Sequence, residues 1–261
     1  MRQIDELDLS ICIISHNSRD DLKVCLTKLR KVIPSDISTE LIVVDNTGDG
    51  SSEYVRQTWP SAHTMNNARP KGFSANVNQA VAESRGRYVL VMNPDVILLP
   101  DAIEAMVEYL DAHPEVGACG PKTRYPDGSL QATCRRFPRW GTVFWRWLKL
   151  DRLAQPAFYR QFLMLDSDHE EVQAVDWVMG SCMVIRNDAF AAVDGFDEGF
   201  FLYYEDIDFC RRLWQAGLSV HYVPDATVIH KYQRQSGKRL LNALALVHLR
   251  SVLRYRRKHG L

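Results

Sequence analysis

Leu41-Ile42-Val43-Val44-Asp45-Asn46 is an apolar run that stops at an acidic residue, and Val89-Leu90-Val91-Met92-Asn93-Pro94-Asp95 repeats the arrangement. Strands of a parallel sheet, buried on both faces, read as continuous Val/Ile/Leu runs, and such sheets gather ligands beyond the strands' carboxyl ends. Asp45 and Asp95 therefore fall where a substrate would sit. One Asp alone could be the cap of the next helix. A third acidic stretch follows far downstream, Glu205-Asp206-Ile207-Asp208-Phe209-Cys210-Arg211-Arg212, and then Val228-Ile229-His230-Lys231.

Around these runs the first 120 residues alternate strand and helix. Leu9–Ser15 reads as a strand. A helix over Arg19–Val32 carries Leu22, Leu26 and Leu29 at helical spacing and closes at Pro34. Ser51-Ser52-Glu53 opens a short helix, Gly72–Ser84 a longer one, and Pro100-Asp101 another ending near His113-Pro114. Tyr88–Met92 and Val116–Gly120 are strand-like. Such alternation predicts an α/β fold with βαβ units and a mostly parallel sheet.

After residue 120 the pattern changes. Tyr125-Pro126-Asp127-Gly128-Ser129 carries a hairpin turn signal. Residues 137–165 hold Trp140, Phe144, Trp145, Trp147, Phe158, Tyr159 and Phe162 among Arg and Lys at irregular spacing, which reads as an aromatic insertion. A strand over Ser181–Arg186, a helix from Glu205 stopped by Gly217, and two short strands around Val220 and Val228 complete a domain over residues 1–235. Its first half spans about 1–120 and its second about 121–235. A basic amphipathic helix then covers 236–261, starting near Gly237.

The chain has 261 residues and zero formal net charge, so no bulk attraction to nucleic acid is implied. Nine of its 32 Lys and Arg and none of its 32 acidic residues lie in Lys231–Leu261, leaving −9 on the first 230 residues. The six cysteines are scattered without a C-x-x-C pair and read as buried reduced thiols, with a zinc site disfavoured. Met1–Asp8 lacks the apolar core of a signal peptide, and no run approaches the ~18 apolar residues of a membrane span. The expected location is the cytoplasm.

Taken in order, Asp45, Asp95, Trp177, Asp206 and His230 resemble the nucleotide, metal and base positions of inverting glycosyltransferases of family 2. That resemblance spans roughly residues 9–235 and implies a GT-A fold with a Rossmann-like sheet and a smaller acceptor-side subdomain. The Asn-Pro-Asp at Asn93–Asp95 and the Phe-x-Tyr-Tyr-Glu-Asp-Ile-Asp-Phe-Cys-x-Arg stretch most resemble bacterial rhamnosyltransferases of O-antigen and other cell-surface polysaccharides. The implied reaction moves a sugar, with dTDP-L-rhamnose as the expected donor, to a hydroxyl of a glycan or polyprenyl-diphosphate-linked acceptor.

The resemblance also distributes roles. Asp206 is the expected general base, oriented by Glu205. Asp95 and His230 would bind Mg²⁺ or Mn²⁺, with Asn93, where relatives carry Asp, weakening the hold on the cation. Asp45 would accept the N3–H of uracil or thymine, a donor that cytosine lacks. Ser15 and Asn17 match the nucleotide-facing turn. Gly72 and Asn76 match a helix start that contacts nucleotide and sugar, and helix N-termini favour anions. Trp177 and Gly180 match the loop that shapes the sugar pocket.

Each residue also has a plainer reading. Asp45 could form an Asx turn with Asn46, Trp177 could fill the core, His230 could be structural, and Asp208 could pair with Arg212 along a helix. A catalytically silent nucleotide-sugar-binding module, or a transferase of another UDP-sugar, are the alternative functions. The nucleotidyltransferases that share this fold are set aside, because the Gly-rich phosphate loop is absent after the first strand. The basic terminus and the aromatic insertion predict a peripheral protein at the inner membrane's cytoplasmic face, binding anionic lipid, with a homodimer also conceivable.

Overall fold

A computed structural model of the protein describes residues 7–231 and 243–260. The first half contains β1 (Leu7–Ser15), α1 (Arg19–Leu29), β2 (Thr39–Asp45), α2 (Ser51–Thr58), β3 (His63–Asn66), α3 (Phe73–Ala82), β4 (Gly86–Met92), β5 (Val96–Leu98), α4 (Ala102–Ala112) and β6 (Val116–Arg124). The second half contains β7 (Leu130–Gln131), β8 (Cys134–Arg135), α5 (Trp140–Trp147), α6 (Ala157–Phe162), β9 (Gln173–Ala174), β10 (Trp177–Val178), β11 (Cys182–Arg186), α7 (Asn187–Ala192), α8 (Glu205–Gln215), β12 (Ser219–His230) and α9 (Ala243–His259).

The main sheet runs in the order β3-β2-β1-β4-β11-β6-β12-β5. Strands β3, β2, β1 and β4 are parallel; β11 is antiparallel to both neighbours, and β12 is again parallel to β6. Alternation of side chains explains the unbroken apolar runs. In β1, Leu9, Ile11 and Ile13 pack beneath α1 and α4, whereas Cys12 and Ile14 pack on the opposite side with α3, α7 and α8. Both faces are core, so both sets must be apolar.

The expected βαβ alternation, the Tyr125–Ser129 hairpin and the α8 stop are all present, the last with Gly217 at φ +82, which favours glycine. Three expectations change. Val220 and Val228 lie on one strand, β12, broken by an irregularity between Val223 and Thr227 rather than by a loop. Short β3 and β5 lie in stretches too brief to show a period. The aromatic insertion is helical: α5, a 3₁₀ turn at Leu150–Arg152 and α6, which buries Tyr159 and Phe162. The predicted helix start at Gly237, with Lys238, Arg239, Leu240 and Leu241, lies outside the described residues. All six cysteines are free and buried. Among the described residues no helix is long and apolar enough to cross a membrane.

Candidate active site

At the carboxyl end of β4, Asn93 and Asp95 enter a turn that leads straight into β5. Pairing of β5 with β12 sets Val96 against His230, and Asp95 accepts the Lys231 N–H on its backbone carbonyl at 3.1 Å. Asp95 Oδ1 then lies 3.4 Å from His230 Nε2. The other imidazole nitrogen, Nδ1, is 2.7 Å from Gln131 Oε1 on β7. An amide oxygen only accepts, so Nδ1 is the donor in this contact, and Nε2 is the nitrogen that faces the Asp95 carboxylate. An imidazole nitrogen and a carboxylate side by side are ligand types that a divalent cation takes. Among the described residues no cluster of three or more His, Cys, Asp or Glu is present. The pair fits the ion nonetheless, because Mg²⁺-type sites commonly take one or two protein ligands and complete their shell with substrate phosphate and water.

Glu205 and Asp206 open α8 after two consecutive tyrosines in the left-handed region, Tyr203 (φ 69) and Tyr204 (φ 70). Bulky residues rarely adopt this conformation, which costs about 1–3 kcal/mol each and persists where surrounding packing over-determines it. The braces are visible. Phe200 and Phe201 offer their carbonyls to Ser74 Oγ at 3.0 Å and to the Phe73 N–H at 2.8 Å. Ser251 Oγ on α9 donates to the Leu202 carbonyl at 2.9 Å, and the His248 ring packs edge-on against both tyrosines.

Asp206 accepts the Gly180 N–H on Oδ2 at 3.2 Å and the Ile207 N–H on Oδ1 at 2.9 Å. Burial raises its pKa above the ordinary carboxylate range, opposed by those two N–H groups and by Arg135. Burial, reinforced by the Asp206 charge, pushes Glu205 well above its usual value. Glu205 Oε2 is buried without a hydrogen-bond partner, which adds to the cost of its charged form. One residue beyond Gly180, the Ser181 carbonyl accepts the Asn93 N–H at 2.9 Å. The Gly180-Ser181 dipeptide thus links the acidic end of α8 to the turn that carries Asp95.

The nucleotide-side residues sort differently from expectation. Asp45 is buried and accepts three backbone N–H groups of the following turn: Thr47 at 3.2 Å and Gly48 at 2.8 Å on Oδ1, Ser52 at 3.3 Å on Oδ2. Those contacts are the Asx-turn reading, and they occupy most of the carboxylate's roughly four acceptor directions. Ser15 is not available to a ligand: its buried hydroxyl is bonded to Ser51 Oγ at 2.8 Å. Asn76 is 1% exposed, and its amide is consumed by the Lys71 and Gly72 carbonyls and by Asn67. Asn17 is exposed at φ 52 on the loop after β1. Gly72 permits a close backbone approach: a Cβ there would lie 2.7 Å from the Phe201 carbonyl. The first α3 N–H, expected to face a ligand, holds the Phe201 loop instead.

Trp177 packs inside the fold. It is 4% exposed, its indole N–H is bonded to the Arg136 carbonyl at 2.8 Å, and the Arg135 guanidinium covers its ring. The cavity beside it, ≈ 250 Å³, is lined by Gln131, Arg135, Arg146, Asp151, Tyr159 and Met179 among others. Gly180 lies against Asp206, and a Cβ there would come 3.5 Å from the Asp206 Cβ. Sequence reasoning missed two participants. Asn46 joins the loops by accepting from Lys71 N–H and Asn67 and donating to the Lys71 carbonyl. Gln131 fixes His230. The Asn66-Asn67 doublet was a usable signal for the first; nothing in one sequence marks Gln131.

Residues 10–190 match the family model of glycosyl transferase family 2, and residues 169–235 match one described as the N-terminal domain of galactosyltransferase. The chain belongs to glycosyl transferase family 2 and is a glycosyltransferase of rhamnosyltransferase-like sequence. It is 30% identical over 259 residues to an N-acetylglucosaminyl-diphospho-decaprenol L-rhamnosyltransferase of Mycobacterium tuberculosis, covering 92% of this chain and 81% of the relative. It is 28% identical to the rhamnosyltransferase WbbL of Escherichia coli K12, over 94% and 91% of the two chains. The crystal structure of GalNAc-T7 with UDP, GalNAc and Mn²⁺ superimposes with TM-score 0.68 at 14% identity, over 96% of this chain. This chain spans 48% of that one, about half its length, and the likeness establishes the GT-A fold.

Proposed function

We propose that the protein is an inverting rhamnosyltransferase of bacterial cell-surface polysaccharide synthesis, taking L-rhamnose from dTDP-rhamnose to a polyprenyl-diphosphate-linked sugar. The observation that carries the reading is the buried Asp206, presented at a helix start and joined through Gly180-Ser181 to the Asp95–His230 pair. The names of the relatives, one of which acts on a decaprenol-linked N-acetylglucosamine, support the choice of donor and acceptor.

In this mechanism Asp206 takes the proton of the acceptor hydroxyl as its oxygen attacks the anomeric carbon. The bond from that carbon to the diphosphate breaks on the opposite face, and the diphosphate leaves with the electron pair. The configuration inverts. A raised pKa makes Asp206 a stronger base than an ordinary carboxylate. Burial and the Asp206 charge disfavour the ionised form of Glu205 still more, which opposes a second buried anion beside the base. Asp95 and His230 Nε2 would hold a divalent cation, Mg²⁺ or Mn²⁺, which would supply positive charge to offset that developing on the leaving diphosphate. Asn93 contributes a neutral oxygen near the sugar. Asp45 organises the Asn46–Gly50 turn on which the base lies, and its remaining acceptor direction selects the N3–H of thymine or uracil.

A thermal-shift screen tests this reading: dTDP-rhamnose with Mn²⁺ raises the melting temperature above that with either alone, since a ligand that binds only the native state stabilises it. A protein that no pyrimidine-nucleotide sugar stabilises, with or without the ion, would not be this enzyme.

A further inference from the structure

The insertion between β8 and β9 has two unlike faces. Inward, α6 buries Tyr159 and Phe162, and Arg146, Asp151 and Tyr159 line the cavity together with Met179. Outward, Phe144 is 57% exposed, Trp147 60% and Leu153 83%, with Trp140, Leu148 and Phe158 also open to solvent. Isolated apolar residues on a surface need no explanation, but several within one short segment mark an interaction site.

Helix α9 repeats the division. Val252 and Tyr255 are buried against the catalytic domain, while Leu246, Leu249 and Leu253 are exposed at spacings of three and four, which places them along one stripe. The two surfaces meet where the Arg256 guanidinium lies 4.6 Å over the Trp140 ring. Arg139, Arg152, Arg250, Arg256 and Arg257 are all exposed. Residues 137–165 contain five basic residues and a single acid, Asp151, and residues from 231 onward contain no acid.

We propose that α5, the Leu150–Arg152 turn and the outer stripe of α9 form one docking face for an anionic lipid bilayer. Trp, Phe and Leu beside Arg, with the one acid of these elements, Asp151, lining the cavity, is the composition of elements that lie in the membrane interface. A second copy of the chain is a poorer occupant, because a self-complementary contact would set this uniformly basic face against itself. The same insertion forms the face and one wall of the cavity, so docking sets the cavity mouth close to the lipid headgroups. The proposal deepens the lipid-linked acceptor reading and rests on it. The assay below reads neither nucleotide binding nor turnover, so either can fail alone.

Flotation of the full chain with phosphatidylglycerol/phosphatidylethanolamine vesicles decides the matter. At low salt the wild type floats at least tenfold more than with phosphatidylcholine vesicles, and 1 M salt reduces this difference. The triple variant Phe144→Ser, Trp147→Ser, Leu153→Ser removes only exposed side chains, keeps its melting temperature, and loses at least tenfold of the floated fraction. Arg250→Gln with Arg257→Gln lowers flotation on the anionic vesicles. Wild-type protein left at the bottom of the low-salt anionic gradient overturns the proposal, as does a folded triple variant that floats like the wild type. So does a wild-type dimer that the triple variant converts to monomer, which would assign the face to a second copy.

Discussion

The Gly180 N–H points at Asp206 Oδ2 across 3.2 Å, so the proposed base is held by the backbone of a loop that also reaches the metal side of the site. A main-chain donor cannot swing away as a side chain can. Its hold on the carboxylate is fixed by the fold of β10 and β11.

Asp206→Asn is expected to lower transfer by ~10²-fold or more while dTDP-sugar binding stays nearly intact, because a base contributes to the transition state rather than to the nucleotide complex. Steady-state rates with a calorimetric titration separate the two. The wild-type acid limb should lie above the ordinary carboxylate range. Burial raises the Asp206 pKa, the ionised form is the active one, and activity is therefore lost as pH falls through that raised value. An acid limb at the pKa of a free aspartate would remove Asp206 from the role.

Glu205→Gln should raise the melting temperature near neutral pH. A buried carboxyl whose folded pKa is raised loses native stability as pH climbs from its unfolded pKa to its folded one, and the amide escapes that loss. The gain over wild type should grow across that window and vanish below it. Melting curves at several pH values check the sign, and a gain that is constant with pH contradicts it.

Removing the ion partners should act on the diphosphate. Asp95→Ala is expected to abolish Mn²⁺ binding measured by paramagnetic resonance, and Gln131→Ala to weaken it about 10- to 100-fold by freeing the His230 ring. Full wild-type activity in excess EDTA would be incompatible with both assignments.

The base specificity gives a simple titration. UDP and dTDP should bind, and CDP at least about tenfold more weakly, as when a carboxylate loses its donor. Equal affinities would leave Asp45 with the turn alone.

Asp208 offers a stability test apart from chemistry. This fully buried carboxylate meets Arg212 at 2.8 Å, Lys258 at 2.9 Å and His259 at 2.7 Å, the last two from α9. Asp208→Ala removes the shared buried partner of Arg212, Lys258 and His259 and should cost about 3 kcal/mol in denaturant unfolding. Lys258→Met alone should cost less, since Arg212 and His259 remain.

Much of this was legible in the sequence. The runs ending at Asp45 and Asp95 gave the doubly covered sheet, and the Asp208–Arg212 spacing gave the helix pair, because both depend on neighbours in the chain. What could not be read were contacts across it. Ser15, Asn76 and Trp177 have residue types that suit a ligand equally well, and only the positions of Ser51, Asn67 and the Arg136 carbonyl decide that their polar groups are already satisfied. The same holds for α9. Its charges look free in sequence, yet Arg254 and Lys258 are paired with Asp197, which lies in the loop before the base.

Tyr203 and Tyr204 depend for their left-handed backbone on His248 and Ser251, which the ribosome adds more than forty residues later. The sheet, the Asp95 turn and the Gly180 loop can form while α9 is still unmade. A nascent chain ending before α9 therefore has the α3 braces of this loop but lacks those of His248 and Ser251. On the proposed mechanism, the order of synthesis would complete the setting of Asp206 only when the last helix folds back over the loop.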